Sequence, residues 1–376
     1  MRYYIIAGEA SGDLHGSNLI KEIKKLDGQA AIRCWGGDMM QQAGATLVKH
    51  YRELAFMGFI EVVKNLPAIM RNLKFCKVDI TAYRPDVLVL IDYPGFNLRI
   101  ADWAKTQGLK IAYYISPQVW AWKENRVKKI KAAVDKMLVI LPFEKAFYKK
   151  WQYEVQYVGH PLIEVIEKEQ LQVPAQSFSN RPIIALLPGS RQQEITKKLP
   201  IMLAASKYFP DYQFIVAKAP GLDPAFYDIL MQPYSNVSSV SGQTYALLKQ
   251  SKAALVTSGT ATLETALFGV PEVVCYKSST ISYQIGKRVI RVKYISLVNL
   301  IMDKPIVKEL IQDALTPENL QKELNDLLNN PRRVAQLKAD YRQLKEKLSE
   351  GGLASANAAN SIVALAGANV SLKKIP

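Results

Sequence analysis

The stretch 253–271 contains residue types that could bind a diphosphate. A run of four apolar residues predicts a buried strand, a Thr-Ser-Gly-Thr segment follows, and a helix then runs to a Gly-Val-Pro stop. Small residues after a strand leave the N-terminus of the next helix uncovered, so its N–H groups and dipole can hold an anion. Ser258, Gly259 and Thr260 are therefore candidate phosphate-binding residues.

Glu264 lies one turn into this predicted helix. A capping box places its acid three residues after a Ser or Thr N-cap, which would be Ala261 from Ser258 or Leu263 from Thr260. Glu264 is thus not an obvious cap, and it could accept hydrogen bonds from a ribose diol. The alternative is an exposed helix acid beside an ordinary tight turn.

Asp92 follows the predicted strand 87–91 directly. In open α/β sheets, ligands bind outside the carboxyl ends of the strands, so an acid at this position is a candidate general base. The alternative is a cap for the helix that follows. Glu9 and Asp13 fall in a small-residue turn after the first predicted strand, where they could bind substrate hydroxyls or cap a helix. His15 in the same turn is interpreted as a packing residue.

A second small-residue turn, with Gly189, Ser190 and Arg191, follows the predicted strand 183–187. The Gly-Ser pair allows close backbone approach, and the arginine could fork onto phosphate oxygens. The alternative is a solvated surface arginine.

The alternation of strands and helices predicts an α/β fold with two Rossmann-like lobes. The 376 residues are long for one core. A polar, proline-containing stretch at 167–180 favours a first lobe over 1–167, a second over 181–345 and a C-terminal helical segment over 346–376. The turn after the first strand lacks G-x-G-x-x-G, which argues against a dinucleotide.

The net charge of +16 indicates an acidic partner: nucleic acid, an anionic membrane face or a phosphorylated substrate. Trp120 and Trp122 precede a basic helix, but no RNA-binding motif accompanies them, so nucleic acid is disfavoured. Phe56, Met57 and Phe59 lie in an apolar segment before a basic helix, which fits a surface that meets lipid or, alternatively, a core segment. The three scattered cysteines and the absence of a long apolar run indicate a cytosolic protein, soluble or peripheral.

Six blocks, in order along the chain, closely resemble the lipid-A-disaccharide synthase family. They are Gly8–Asp13, Ile91–Asp92, Ser116–Trp122, Leu141–Glu144, Leu187–Arg191 and Ser258–Glu264. The resemblance implies a GT-B glycosyltransferase: two Rossmann-like lobes facing a cleft, with C-terminal helices packed on the first lobe or exchanged in a homodimer. It implies transfer from UDP-2,3-diacylglucosamine to 2,3-diacylglucosamine 1-phosphate with inversion, in lipid A biosynthesis at the inner face of the cytoplasmic membrane.

The resemblance also assigns roles. It makes Asp92, Arg191 and Glu9 catalytic, and it places Glu264 and Asn299, with the two small-residue turns, at the UDP-sugar. Two positions depart from the family pattern: Gly95 stands where many members have an acid, and Val298 replaces a proline before Asn299.

No two aspartates here are separated by one residue, so the metal-binding Asp-x-Asp motif of many UDP-sugar transferases is lacking. The sequence therefore predicts an enzyme with no metal and no cofactor. Another two-lobed UDP-GlcNAc enzyme, such as a 2-epimerase, remains the alternative, as does a non-enzymatic nucleic-acid binder.

Overall fold

The computed structural model describes residues 1–54, 66–172, 176–219, 222–279, 283–284, 286, 288 and 292–367. The chain forms two compact units. The first comprises Met1–Pro161 together with Ser349–Pro376, and the second comprises Leu162–Leu348. The C-terminal segment therefore belongs to the first unit, to which the chain returns after completing the second.

The first unit is built on a parallel sheet of seven strands in the order β3-β2-β1-β4-β5-β6-β7. The strands are β1 (Arg2–Ala7), β2 (Ala31–Gly36), β3 (Thr46–His50), β4 (Val87–Ile91), β5 (Ile111–Tyr114), β6 (Lys136–Val139) and β7 (Gln156–Tyr157). Its helices are α1 (Ala10–Leu26), α2 (Asp38–Gln42), α3 (Leu66–Tyr83), α4 (Pro94–Thr106), α5 (Val119–Trp122), α6 (Val127–Ala133) and α7 (Glu144–Lys149).

The second unit has a parallel sheet of six strands in the order β10-β9-β8-β11-β12-β13. The strands are β8 (Ile183–Leu187), β9 (Gln213–Lys218), β10 (Val237–Ser241), β11 (Ser251–Thr257), β12 (Glu272–Tyr276) and β13 (Lys308–Ile311). Its helices are α8 (Pro161–Gln170), α9 (Gln192–Ala205), α10 (Pro224–Met231), α11 (Thr244–Gln250), α12 (Thr260–Leu267), α13 (Leu297–Met302), α14 (Pro317–Asn329) and α15 (Pro331–Ser349).

Both sheets follow the Rossmann strand order, which reverses next to the first strand of each sheet. The predicted α/β fold with two Rossmann-like lobes is thus confirmed. The reversals lie between β1 and β4 in the first sheet and between β8 and β11 in the second. Ligands of such sheets bind at the carboxyl ends of the strands at these reversals.

Every residue of β4 is buried, because helices cover both faces of a parallel sheet, and this explains its continuous apolar run.

Helix α1 begins at Ala10, earlier than the start near Ser17 that the sequence predicts. The small residues that read as a turn form the first turns of the helix instead. Gly12 lies where an added Cβ would be 3.0 Å from the Cβ of Ala7, and Gly16 lies against the sulfur of Met40. The glycines therefore serve close helix packing rather than a loop.

The last helix, α16 (Ala354–Gly367), packs against α1 of the same chain. Its alanine-rich face is buried, as at Ala354, Ala358 and Ile362. Before it, the backbone of Gly351 and Gly352 lies directly against Gly159, where a side chain would collide with it. None of the described helices combines the length and apolar character needed to cross a bilayer.

Candidate active site

Asp92 lies at the carboxyl end of β4, beside the reversal of the first sheet. Asp92 and Tyr93 both have left-handed backbones, with φ of 43° and 48°, which is uncommon for residues with side chains. Several hydrogen bonds hold this turn. The Asp92 N–H donates to the Tyr114 carbonyl (3.2 Å), and the Asp92 carbonyl accepts from the Tyr113 hydroxyl (2.5 Å) and the Asn97 amide (2.8 Å). The position of the aspartate is therefore fixed by two neighbouring elements.

The pKa of the Asp92 carboxyl suits a group that accepts a proton near neutral pH. Burial, and then the charge of Glu9, raise its pKa to about 7, while the N–H of Tyr93 opposes the rise. A general base works best when its pKa is near the operating pH. The N-cap residue of α4 is Tyr93, so Asp92 does not have the capping position that was the structural alternative.

Glu9 follows β1, the strand that pairs with β4, and its charge acts on Asp92. It is the N-cap residue of α1, and among the described residues its side chain makes no cap hydrogen bond to that helix. Gly8 beside it lies under the ring of Tyr93, where an added Cβ would be 2.3 Å from Cγ. The turns after β1 and β4 are thus packed on each other, which brings the two acids together.

Asp13 and His15 have structural environments. The buried Asp13 carboxylate accepts the N–H groups of Gly37, Met39 and Met40 at 2.8–3.2 Å, and so caps α2 rather than its own helix. Burial lowers the pKa of His15 to about 4, so this histidine is neutral at physiological pH.

Two further blocks of the resemblance pack on each other in the first unit. The Trp120 indole donates to the buried Glu144 carboxylate (3.3 Å), which also accepts the N–H groups of Ile140 and Leu141. Burial raises the pKa of Glu144 to about 7. These contacts fix the segment after β5, and they give Trp120 a structural role.

In the second unit, Gly189, Ser190 and Arg191 follow β8. Gly189 has φ of +117°, and a Cβ there would lie 2.8 Å from a Glu194 carboxylate oxygen, so this turn requires glycine. The Arg191 side chain is 56% exposed and lies 3.4 Å from Glu194, which also lies 3.7 Å from the Lys198 ammonium. Two cations therefore converge on one acid beside this turn.

Ser258, Gly259 and Thr260 follow β11, which pairs with β8, so both small-residue turns share one edge of the sheet. The Gly189 turn approaches the second one at Thr257. Helices α9 and α12 begin at these turns, and their N-cap residues, Arg191 and Gly259, make no side-chain cap hydrogen bond within the described part of the chain. The Ser258 hydroxyl donates to the Ile295 carbonyl (2.7 Å).

Glu264 is not an exposed helix acid. Its Oε1 accepts from the Tyr245 hydroxyl (2.8 Å), and burial raises its pKa. It lines a cavity of about 430 Å³ at the carboxyl ends of β9 and β10, together with Lys218 and Thr244. Glu264 belongs to α12, which begins at the Ser258–Thr260 turn.

Asn299 is buried on α13, and its side chain is engaged within the protein. Its amide donates to the Val307 carbonyl (2.9 Å) and to Glu309 (3.0 Å), and its Oδ1 accepts the Val307 N–H (2.9 Å). Asn299 therefore braces the segment that Ser258 contacts, and its role at the substrate stays a prediction. Phe56, Met57 and Phe59 lie outside the described residues.

Several residues that hold the site gave no signal in the sequence. Tyr113 and Asn97 fix the Asp92 turn, Tyr245 bonds Glu264, and Glu194 with Lys198 lies beside Arg191. Only Glu194, three residues after Arg191, could have been found from spacing.

The family model described as lipid-A-disaccharide synthetase matches residues 3–363. The chain is 40% identical over 362 residues to the lipid-A-disaccharide synthase of Geobacter metallireducens, covering 93% of this chain and 94% of the relative. It is 36% identical over 358 residues to that of Coxiella burnetii, with 93% and 95% covered. This chain belongs to the lipid-A-disaccharide synthase family.

The family match confirms the predictions of a glycosyltransferase and of a role in lipid A biosynthesis. Solved structures agree on the fold. A UDP-GlcNAc 2-epimerase from Neisseria meningitidis bound to UDP-GlcNAc has a TM-score of 0.65 at 13% identity over all of both chains. The calicheamicin glycosyltransferase CalG4 has a TM-score of 0.61 at 16% identity, with 98% of each chain covered. Both likenesses extend over the two lobes.

Proposed function

We propose that this enzyme transfers 2,3-diacylglucosamine from UDP-2,3-diacylglucosamine to 2,3-diacylglucosamine 1-phosphate. The product is the β-1′-6-linked disaccharide 1-phosphate, and UDP is released. The observation that supports this most is the family match over residues 3–363. The Asp92 carboxyl, held at the reversal of the first sheet with a pKa of about 7, supports the base that the transfer needs.

The donor is an α-linked UDP sugar and the product is β-linked, so one displacement with inversion accounts for the stereochemistry. Asp92 accepts the proton of the acceptor hydroxyl as that oxygen attacks the anomeric carbon of the donor. The bond between the anomeric carbon and the diphosphate oxygen breaks, and UDP departs. Glu9 raises the proton affinity of Asp92 by its charge. General-base assistance of this kind is typically worth about 10²–10⁴ in rate.

Arg191 and the N-terminus of α12 neutralise the charge that develops on the departing diphosphate. The two helix N-termini lie at neighbouring strand ends, and among the described residues neither N-cap side chain makes a cap hydrogen bond. This supports the role, because helix N-terminal N–H groups and helix dipoles attract anions. Glu194 holds Arg191 and Lys198 on this side of the turn. We expect turnover to persist in EDTA, since no Asp-x-Asp motif is present, and full loss with EDTA would contradict this.

Glu264 accepts hydrogen bonds from the ribose diol of the donor. Its support is the cavity that it lines at the strand ends of the second unit, which has room for a nucleoside beside the diphosphate turns.

Both substrates carry acyl chains, so we propose that the enzyme works at the inner face of the cytoplasmic membrane. Helix α3 exposes apolar side chains, at 48–60% for Met70, Phe75 and Val78. In the sequence it follows the segment that contains Phe56, Met57 and Phe59. The net charge of +16 favours an anionic surface. Serine at positions 56, 57 and 59 is expected to weaken binding to liposomes, and unchanged binding would contradict the membrane role.

A homodimer with exchanged C-terminal segments remains part of the proposal. Helix α16 buries an apolar face on α1 that a second copy could supply equally well. Sedimentation of the purified chain tests this, and a monomer at all concentrations would contradict it.

The decisive experiment measures UDP release from UDP-2,3-diacylglucosamine with and without the acceptor, in EDTA, for the wild type and Asp92→Asn. We expect acceptor-dependent release that collapses in the variant. If the wild type binds UDP but shows no acceptor-dependent release, the proposed substrates are wrong.

A further inference from the structure

A groove of about 620 Å³ lies beside the Asp92 turn in the first unit, between α4 and the segment that runs from α5 into α6. Arg99 and Leu98 of α4 line one side. Trp122, Lys123, Arg126 and Lys129 line the other. No role proposed above uses these side chains.

The groove has an excess of positive charge. Among the described residues that line it, four are cations and one, Asp102, is an acid. Within the described part of the chain, none of the four cations makes an ion pair. Burial, and then the charge of Arg126, lower the pKa of Lys123, which shows that the cations are close enough to repel each other. A bound anion would relieve this repulsion.

The groove also offers an aromatic surface. Trp122 is 47% exposed, although most large apolar side chains of this unit are buried. The Lys123 ammonium lies 4.1 Å and the Arg126 guanidinium 5.5 Å from the centre of its ring. An indole beside cations can cover the apolar face of a small ring while the cations bind an attached anionic group.

The groove begins beside the turn that carries the base. Pro94 and Gly95, which line it, directly follow the Asp92–Tyr93 turn. Burial raises the pKa of Tyr113, whose hydroxyl donates to the Asp92 carbonyl, and Arg126 opposes that rise. Arg126 is therefore within electrostatic reach of the group that fixes the base.

We propose that this groove binds the phosphomonoester of the acceptor, with Arg126, Lys123, Lys129 and Arg99 on the phosphate and Trp122 against the sugar. The inference rests on the proposed function and deepens it. One sugar ring carries both the hydroxyl that reacts at Asp92 and the 1-phosphate, so the phosphate must be bound near Asp92 but away from it. The groove offers an anion site that begins beside the Asp92 turn but does not include Asp92. Binding there makes the phosphate a determinant of acceptor choice.

The test compares two acceptors, 2,3-diacylglucosamine with and without its 1-phosphate, by disaccharide formation. The wild type is expected to prefer the phosphorylated acceptor by about tenfold to a hundredfold in kcat/KM, as charged hydrogen bonds to one group would give. In Arg126→Ala/Lys129→Ala, this preference is expected to fall towards unity, mainly through a higher KM. Arg126→Lys is expected to retain part of it.

Lys128→Ala is the matched control, because Lys128 is exposed on the same helix, α6, but does not line the groove. It removes one charge from the same region and is expected to leave the preference unchanged. Equal melting temperatures of the variants separate a binding effect from misfolding. A double variant that retains the wild-type preference overturns the inference.

A second measurement is independent of turnover. Glucosamine 1-phosphate, which has no acyl chains, is expected to change the fluorescence of the wild type but not of Trp122→Phe or Arg126→Ala/Lys129→Ala. If the wild type makes no disaccharide, the proposed function fails, and this titration alone decides whether the groove binds a sugar phosphate. If the double variant loses only binding to phosphatidylglycerol vesicles and still responds to glucosamine 1-phosphate, the groove serves lipid headgroups and the inference is wrong.

Discussion

The pH dependence of turnover follows directly from the environment of Asp92. The active form is the carboxylate, and burial with the charge of Glu9 raises the pKa of Asp92 to about 7. A raised pKa means that the proton is retained until pH rises through about 7. With a pKa of about 7, about one molecule in ten carries the carboxylate at pH 6, so kcat is expected to fall about tenfold per pH unit below the midpoint.

Asp92→Asn lacks the titrating group, which gives a second, sharper expectation. The variant should be slower by about 10²–10⁴ near pH 8 and should lose the acidic limb of the profile. Its deficit relative to the wild type is therefore expected to shrink about tenfold for each pH unit below the midpoint. Glu9→Gln should move the midpoint below about 7, because it removes a negative charge that favours the protonated acid.

The assay is UDP release at saturating acceptor between about pH 5 and pH 8.5. Asp86→Asn is the control, because Asp86 directly precedes β4, at the end opposite to Asp92, where it accepts the Arg2 N–H (2.7 Å). It should leave the midpoint unchanged. A flat wild-type profile, a midpoint near that of ordinary aspartate, or a Glu9→Gln midpoint that moves upwards would refute the reasoning.

Three further predictions concern other parts of the chain. Arg191→Ala should lower kcat by roughly 10²–10³ with little change in melting temperature. Lys197 is an exposed cation on the same helix, and Lys197→Ala should leave kcat unchanged. Equal losses of kcat in the two variants would contradict the role of Arg191. Glu272 is buried with both carboxylate oxygens unpartnered among the described residues, and burial raises its pKa well above the ordinary value. Above the pKa of unfolded glutamate the unfolded state loses this proton first, so stability falls as pH rises, and Glu272→Gln should raise the melting temperature near pH 8 but little near pH 4. Gly8→Ala should destabilise the first unit, because the added Cβ would be 2.3 Å from the Tyr93 ring. Tyr93→Ala should relieve part of that loss in a double-mutant cycle measured by denaturant unfolding. Strictly additive changes in the free energy of unfolding would contradict the contact.

The sequence alone predicted the fold class and the positions of the candidate site residues. A buried parallel strand needs an apolar run, and the small or acidic residues that follow it mark its carboxyl end, so both signals are local in the chain. Asp92, Glu9 and the turns at Gly189 and Ser258 all follow such runs, and the structure has them at the two strand-order reversals. The sequence also left open whether Asp92 caps a helix, which the position of the N-cap at Tyr93 decided.

Only the tertiary structure decided what these residues touch. Asp13 was a candidate for substrate or for its own helix, and it caps α2 instead, 24 residues away in the chain. The pairing of Trp120 with Glu144, the closed hydrogen-bond set of Asn299 and the groove beside Asp92 depend on segments that meet only after folding. Apolar periodicity and small residues report the local backbone, whereas the pKa of Asp92 and the excess charge of the groove arise from burial and from neighbours distant in sequence. The sequence therefore determined where chemistry could occur, and the packing of distant segments determined the chemical state of the groups that would perform it.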